Sequence, residues 1–169
     1  FRESIDYYKR ALSVDPVFAL AYSGLADSYA QLFGMLIDTT YRDLGFAAAE
    51  KSLKIDQNLA EGYKALGVLF SYDGDSNNSL KNNLKTIQLK PGFSDAISNI
   101  GLRYQNKGDL SESLEWYEKS YKLDPYNRRT IQNYAWSNRL IGENDFAEEL
   151  FLEGIIKYND SYESLNSLV

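Results

Sequence analysis

Few residues of this 169-residue sequence are suited to chemistry. It contains neither cysteine nor histidine, so it offers no thiolate nucleophile, no disulfide and no imidazole to shuttle protons near neutral pH. Glu148 with Glu149, and Glu112 with Glu115, have the spacing of acid–base pairs. Carboxylates are nevertheless common on helix surfaces, and nothing in the sequence predicts the burial that would tune their pKa. We therefore predict no catalytic residues, no cofactor and no enzyme activity.

One segment has the opening spacing of a calcium-binding loop. Asp73, Asp75 and Asn77 occupy the first, third and fifth positions, but the glycine expected at the sixth position is Asn78 and the glutamate expected at the twelfth is Leu84. Aspartate and asparagine are also the residues that cap helices and form turns. We interpret this segment as a turn and a helix cap, and we predict no metal site.

Charge and hydropathy exclude two further classes of partner. The net charge of −6 is the opposite of what a nucleic-acid groove requires. No run of about 18 apolar residues is present, so we predict no membrane insertion. The chain begins at Phe1 and not at methionine, and we expect it to be a fragment of a longer protein. The lack of cysteine is compatible with a reducing compartment, and we expect a cytoplasmic location.

A 34-residue repeat runs along the chain. Small residues recur with this step at Gly67, Gly101 and Ala135. Seven residues after each of them stands a glycine: Gly74, Gly108 and Gly142. A second pattern of small, large and small residues followed by proline recurs as well: Ser4, Tyr8, Ala11 and Pro16, then Ser113, Tyr117, Ser120 and Pro125. All three prolines of the chain fall at this phase, where proline stops a helix.

These residues resemble the tetratricopeptide repeat family, whose unit is a 34-residue helix–turn–helix. The match is best from Ala96 to Pro125, and the resemblance covers essentially the whole chain. It implies an all-α fold, a right-handed α-solenoid of antiparallel helix pairs. We expect helices at about 2–14, 17–33, 41–55, 59–72, 77–89, 93–106, 110–123, 127–140 and 144–157.

The repeats define a single array over residues 1–169. We assign residues 1–16 to the second helix of a truncated repeat, 17–57 to a repeat with a seven-residue insertion, 58–91, 92–125 and 126–159 to regular repeats, and 160–169 to the start of a further helix.

The insertion lies near residues 34–45. It has two interpretations: an extended helix pair with a longer turn, or a loop that contacts a partner, since insertions in repeats project from one face. The longer helix around residues 47–53 resembles those in arrays of bacterial multidomain signalling proteins.

The resemblance also implies a concave groove lined by the first helix of each repeat. Positions that face such a groove include Asp27 and Gln31. We predict a peptide-binding groove formed by Lys64, Val68, Tyr72, Asn99, Leu102, Asn106, Arg129, Gln132, Asn133, Trp136 and Arg139. This mixture of amides, single charges and apolar groups suits an extended peptide. Asn99 and Asn133 occupy the same phase, and each carboxamide is able to bind a peptide bond.

Two details of the groove stay open. Lys64, Asn99 and Arg129 match three of the five residues with which related arrays clamp a C-terminal carboxylate, but Val68 and Asn133 replace the other two. Fewer charge-assisted bonds would then hold the carboxylate. Trp136 and Tyr72 either face the groove or pack between neighbouring repeats.

The leading hypothesis is therefore a non-catalytic protein–protein interaction scaffold that binds a peptide or protein segment. The alternative is a structural or self-associating spacer of a larger bacterial signalling protein, since a truncated array exposes apolar faces at its ends.

Overall fold

The computed structural model describes residues 1–158, and every regular element in that part of the chain is an α-helix. The helices are α1 (Arg2–Val14), α2 (Ala19–Leu36), α3 (Thr39–Ile55), α4 (Ala60–Tyr72), α5 (Ser76–Leu89), α6 (Ser94–Lys107), α7 (Leu110–Leu123), α8 (Arg128–Leu140) and α9 (Asn144–Tyr158). The all-α prediction is confirmed, and all helix bounds agree within two residues except for the end of α2. The further helix expected at 160–169 lies outside the described residues.

Helices that are neighbours in sequence pack against each other in pairs, α2 with α3, α4 with α5, α6 with α7 and α8 with α9. The chain divides into two compact units, Phe1–Pro91 and Gly92–Val169. The division coincides with the boundary predicted between the repeats 58–91 and 92–125. Helices α1–α5 form the first unit, and α6–α9 form the described part of the second.

Small residues allow the paired helices to approach closely. A Cβ atom on Gly67 would lie 2.6 Å from the Asn83 side-chain nitrogen, and one on Gly101 would lie 3.0 Å from the ring of Tyr117. Both contacts join the first and second helices of one repeat. The recurring small residues therefore permit close packing of the two helices at Gly67 and Gly101.

The first unit has an apolar core built by α1 to α4, with Leu25, Tyr29 and Leu69 among its buried side chains. Helix α5 is attached differently. Its fully buried Ser79 donates to the Gly67 carbonyl at 2.8 Å, and its fully buried Thr86 lies 3.4 Å from the Ala60 carbonyl. Ser120 of α7 makes the equivalent bond to the Ser94 carbonyl of α6, but α7 also buries Tyr117, whereas the buried residues of α5 are all polar: Ser79, Asn83 and Thr86.

Glycine supplies the left-handed backbone at three turns between paired helices. Gly74, Gly108 and Gly142 have φ values of 84°, 85° and 92°, which side chains with a Cβ rarely adopt. The turn between α2 and α3 is different, because Ile37 adopts φ 55° there. Ile37 is the only non-glycine residue with positive φ among residues 1–158, and its side chain is β-branched and exposed.

The seven extra residues of the second repeat lengthen its two helices. Helix α2 has 18 residues and α3 has 17, and only Ile37 and Asp38 separate them. Asp38 caps α3 by accepting a hydrogen bond from the Thr40 amide at 2.8 Å. The extended helix pair is confirmed, whereas the expected longer turn is wrong and no loop projects at this position.

A cluster of hydrogen bonds and an ion pair link helix α9 to the rest of its unit. The Tyr121 hydroxyl of α7 donates to the Glu153 carboxylate of α9 at 2.7 Å. Lys157 forms an ion pair with Glu153 and donates to the Pro125 carbonyl at 2.6 Å. Burial, followed by the hydrogen bond to Glu153, raises the pKa of Tyr121 to about 12.

We expect Ile37→Gly to stabilise the protein. A left-handed conformation costs an L-residue about 1–2 kcal/mol, and glycine avoids this cost but loses part of the gain through the greater entropy of the unfolded chain. The free energy of unfolding in urea should rise by about 0.5–1 kcal/mol. A decrease would show that the isoleucine side chain makes stabilising contacts that outweigh the strain.

We expect Tyr121→Phe to destabilise the protein by about 1 kcal/mol at pH 7, because it removes a hydrogen bond to a carboxylate. The folded pKa of Tyr121 is raised, so this stabilisation is complete below the unfolded value near pH 10 and is lost as pH rises through about 12. Urea denaturation at pH 7, 10 and 12 measures the difference between the two proteins. A difference that stays constant over this range would contradict the assignment.

Candidate functional site

In the first unit, four residues at predicted groove positions meet on one face of α2 and α4. The Lys64 ammonium of α4 lies 2.6 Å from the Asp27 carboxylate of α2. The Tyr72 hydroxyl of α4 donates to the Gln31 side-chain oxygen of α2 at 3.4 Å. The two first helices therefore present these side chains on a common surface.

The charge of Lys64 is already paired. Its ammonium contacts Asp27 closely, and its side chain is only 16% exposed. A ligand carboxylate would have to displace the aspartate and would gain little from the exchange. This pairing weakens the interpretation of Lys64 as part of a carboxylate clamp.

Two other residues of this predicted set have packing roles. Val68 lies in the apolar core of the first unit and is almost completely buried. The ring of Tyr72 covers Gly34 of α2, where a Cβ atom would lie 2.6 Å from the ring. Tyr72 therefore packs between neighbouring repeats, while 43% of its surface remains exposed.

In the second unit, Trp136 of α8 is an exposed aromatic side chain whose ring contacts two neighbouring side chains. Its ring stands nearly perpendicular to that of Phe151 on α9, with the centroids 5.7 Å apart. The Arg139 guanidinium lies 5.6 Å from the centre of the indole. Trp136 is nevertheless 42% exposed, so it packs on its own repeat and also faces solvent.

A cavity of about 320 Å³ lies between α8 and α9. Arg139, Glu148 and Phe151 are among the residues that line it. Two of these three residues, Arg139 and Phe151, also contact the indole of Trp136. The indole and the cavity therefore share side chains.

A buried tyrosine connects the core of the second unit to its predicted groove residues. Tyr117 is fully buried, and its hydroxyl donates to the Gln105 side-chain oxygen at 2.8 Å. Burial raises the pKa of Tyr117, while hydrogen bonds from Asn133 and Ser113 act in the opposite direction. The carboxamide of Asn133 is thus oriented by a buried phenol. Gln105 was not predicted; its position one helical turn after Gly101 is the only signal in the sequence.

The remaining predicted residues lie on α6 and α8, two helices that contact each other. Asn99 and Gln132 are half-buried, and Leu102 packs against the core of the second unit. Asn106 and Arg129 are exposed.

The aspartates of the calcium-like segment have other partners. Asp75 caps α5, because its carboxylate accepts from the Asn78 amide at 3.0 Å, and hydrogen bonds from Asn78 lower the pKa of Asp75. Asp73 lies 3.4 Å from the Arg42 guanidinium. The interpretation of Asp75 as a helix cap is confirmed. In residues 1–158, no group of three acidic side chains is arranged to hold a metal ion.

None of the helices up to residue 158 is both long enough and apolar enough to cross a bilayer.

The sequence is similar to proteins with tetratricopeptide repeats. A family model described as tetratricopeptide repeat matches residues 94–127. The chain is 27% identical over 144 residues to tetratricopeptide repeat protein 6 of Homo sapiens. This alignment covers 83% of the present chain and 26% of the human protein. The chain is 32% identical over 73 residues to the chloroplastic tetratricopeptide repeat domain-containing protein PYG7 of Arabidopsis thaliana, covering 43% of this chain and 24% of that protein. The chain thus spans about a quarter of the length of these two curated relatives.

The fold is similar to that of solved repeat proteins. A thermophilic TPR protein of Thermus thermophilus aligns with a TM-score of 0.80 at 13% identity, over 97% of this chain and 86% of that chain. A chain of the APC/C hetero-tetramer Cut9–Hcn1 aligns with a TM-score of 0.83 at 17% identity, over 99% of this chain and 32% of that chain. At these identities the likeness concerns the fold.

We expect Lys64 and Asp27 to be coupled energetically. A double-mutant cycle with Lys64→Met and Asp27→Asn should give an interaction free energy of about 0.5–1 kcal/mol, because the pair is only partly exposed. The exposed pair Lys122–Glu118 serves as the control and should give a smaller value. Equal interaction free energies in the two cycles would show that partial burial between α2 and α4 does not strengthen the ion pair of Lys64 with Asp27.

Proposed function

We propose that this chain, which is a tetratricopeptide helical repeat protein, is a non-catalytic scaffold that binds a peptide or protein segment on its first helices. Proteins with this repeat are typically protein–protein interaction scaffolds and are usually non-catalytic. We assign the principal contact to α6 and α8 in the second unit. The exposed and fixed indole of Trp136 is the observation that carries this proposal.

Trp136 has the properties of an anchor for a ligand. Tryptophan and arginine are enriched among the residues that contribute most to binding energy, and Arg139 lies over the indole. The contact with Phe151 restricts the ring before a ligand arrives, so little side-chain entropy remains to be lost on binding. The adjacent cavity of about 320 Å³ is large enough to accept a side chain of the ligand.

Asn99 and Asn133 supply the polar contacts of the proposed site. A carboxamide carries both a donor and an acceptor, which is what an extended peptide backbone requires. Asn133 hydrogen-bonds the buried Tyr117 hydroxyl, which favours one orientation of its side chain. We propose that Gln132, Asn106 and Arg129 surround the contact between the peptide and the two asparagines. Leu102 packs against the core of the second unit beneath it.

We propose a lesser role for the first-helix face of the first unit. Lys64 and Tyr72 already have partners in Asp27 and Gln31. Ligand groups would have to replace these contacts, so they would gain little free energy at Lys64 and Tyr72. Val68 is too deeply buried to contribute more than packing.

The wider setting of the chain belongs to the same proposal. We propose a cytoplasmic location, because the chain lacks cysteine. We also propose that the chain is part of the repeat array of a larger bacterial signalling protein, because the longer helix around residues 47–53 resembles those in such arrays. The curated relatives are also much longer than their matched segments.

Self-association is a second candidate function. Ile156 on α9 is 82% exposed, and Leu152, one helical turn before it, is 43% exposed. Adjacent exposed apolar side chains favour contact with another apolar surface. Light scattering from micromolar to millimolar protein should then detect a dimer that Ile156→Asp abolishes. A monomer throughout this range would exclude the second candidate.

We expect Trp136→Ala to weaken peptide binding by about 10-fold or more, as for a central aromatic anchor. A peptide selected from a display library would be titrated against the wild type and the variant by fluorescence anisotropy. Trp116→Ala is the matched control, because Trp116 is the other tryptophan of the chain and lies on the second helix α7. It should change the affinity by less than about 2-fold.

The two tryptophans also provide a direct reporter of the site. In Trp116→Phe all indole emission comes from Trp136, and the selected peptide should shift this emission on binding. Equal losses of affinity in Trp136→Ala and Trp116→Ala, or a shift seen only in Trp136→Phe, would overturn the assignment to α6 and α8.

A further inference from the structure

A second cavity lies within the first unit, between α1, α2 and α3. Its volume is about 440 Å³, within the range of cavities that bind ligands. Ile5 of α1 and Tyr29 and Leu32 of α2 contribute to its lining, and all three are buried. The cavity therefore has an apolar floor.

Helix α3, the lengthened second helix of its repeat, forms one wall of this cavity. Tyr41 and Leu44 line the cavity from α3, and Tyr41 lies in the first residues of α3, by which this helix exceeds the 14-residue helices α5 and α7. The ring of Tyr41 stacks on that of Tyr29, with their centroids 6.2 Å apart. Leu44 is 42% exposed at the rim.

The apolar surface continues from the cavity to the end of α2. Leu36 follows Leu32 by one helical turn and is half exposed, and Met35 and Ile37 beside it are more exposed still. Ile37 also has the left-handed backbone for which the other three turns between paired helices use glycine. An apolar patch that retains a strained side chain is the kind of surface that serves recognition.

Basic side chains border the cavity on α1. Arg2 and Lys9 line it together with Asp6, at spacings that place all three on one helix face. Within the described chain, neither Arg2 nor Lys9 contacts a carboxylate. Helices α1 and α3 each contain three basic and two acidic residues, whereas the whole chain has a net charge of −6. The charged residues that line the cavity are two basic and one acidic, a net charge of +1, in a protein whose net charge is −6.

We propose that this cavity is a second binding site, for an acidic peptide segment that inserts one large apolar side chain between α1 and α3. The apolar floor and Leu44 receive the side chain, and Arg2 and Lys9 pair with acidic residues next to it in the peptide. Helical spacing places Tyr29 and Leu32 largely opposite Asp27 and Gln31 on α2. The site is therefore separate from the first-helix faces and does not depend on the function proposed for them.

The test uses a synthetic fluorescein-labelled peptide with a central phenylalanine flanked by three glutamates on each side. The full chain should bind it, and binding should weaken as NaCl is raised from 50 to 500 mM, because salt screens the ion pairs. Two matched peptides, one with alanine for phenylalanine and one with lysines for glutamates, should bind at least 10-fold more weakly. Equal binding of either matched peptide would overturn the proposal.

Variants locate the peptide on the protein. Leu44→Asp and the double variant Arg2→Glu with Lys9→Glu should each lower the affinity at least 10-fold. Leu84→Asp is the control, because Leu84 on α5 has the same exposure as Leu44, 42%. Circular dichroism and the urea midpoint verify that each variant folds. Failure of the peptide to bind, or equal binding by Leu44→Asp and Leu84→Asp, would exclude the site.

Discussion

The close approach of paired helices at small residues is the constraint on which the rest of this structure depends. A Cβ atom on Gly67 would lie 2.6 Å from the Asn83 side chain of the partner helix, and one on Gly101 would lie 3.0 Å from the ring of Tyr117, so a larger residue would force these side chains to move. Because these contacts determine how each pair of helices is rotated, they also determine which positions of the first helix are buried and which face outward. Ala135 of α8 has the same phase and is fully buried, whereas Trp136 beside it is 42% exposed.

The side chain that packs against the helix glycine is different in the two units, and so are its hydrogen bonds. In the second unit Tyr117 is an aromatic core residue whose hydroxyl reaches Gln105 and Asn133, so packing and the proposed site are connected. In the first unit Asn83 occupies the same place and bonds to the Ser79 carbonyl of its own helix. The pair α4–α5 is therefore held by hydrogen bonds more than by apolar burial, and we expect α5 to be the less stable helix of the two.

Much of the fold could be predicted from the sequence, because the 34-residue period, the turn glycines and the prolines all mark helix ends. The end of α2 was misjudged because Ile37 adopts a conformation for which the sequence carries no glycine signal. The site was harder to predict, since periodicity indicates which way a residue points but not what it contacts. The pairing of Lys64 with Asp27, the bond from Tyr117 to Gln105 and the cavity beside Tyr41 all depend on side chains far apart in sequence.

The central claim is that a ligand lies on the first helices of the second unit. Hydrogen–deuterium exchange measured by mass spectrometry, with and without a selected peptide, tests this claim most directly. Bound peptide should slow amide exchange in α6 and α8, around Asn99 and Trp136, and leave α7 unchanged. Slower exchange confined to α7 and α9, with α6 and α8 unaffected, would contradict it.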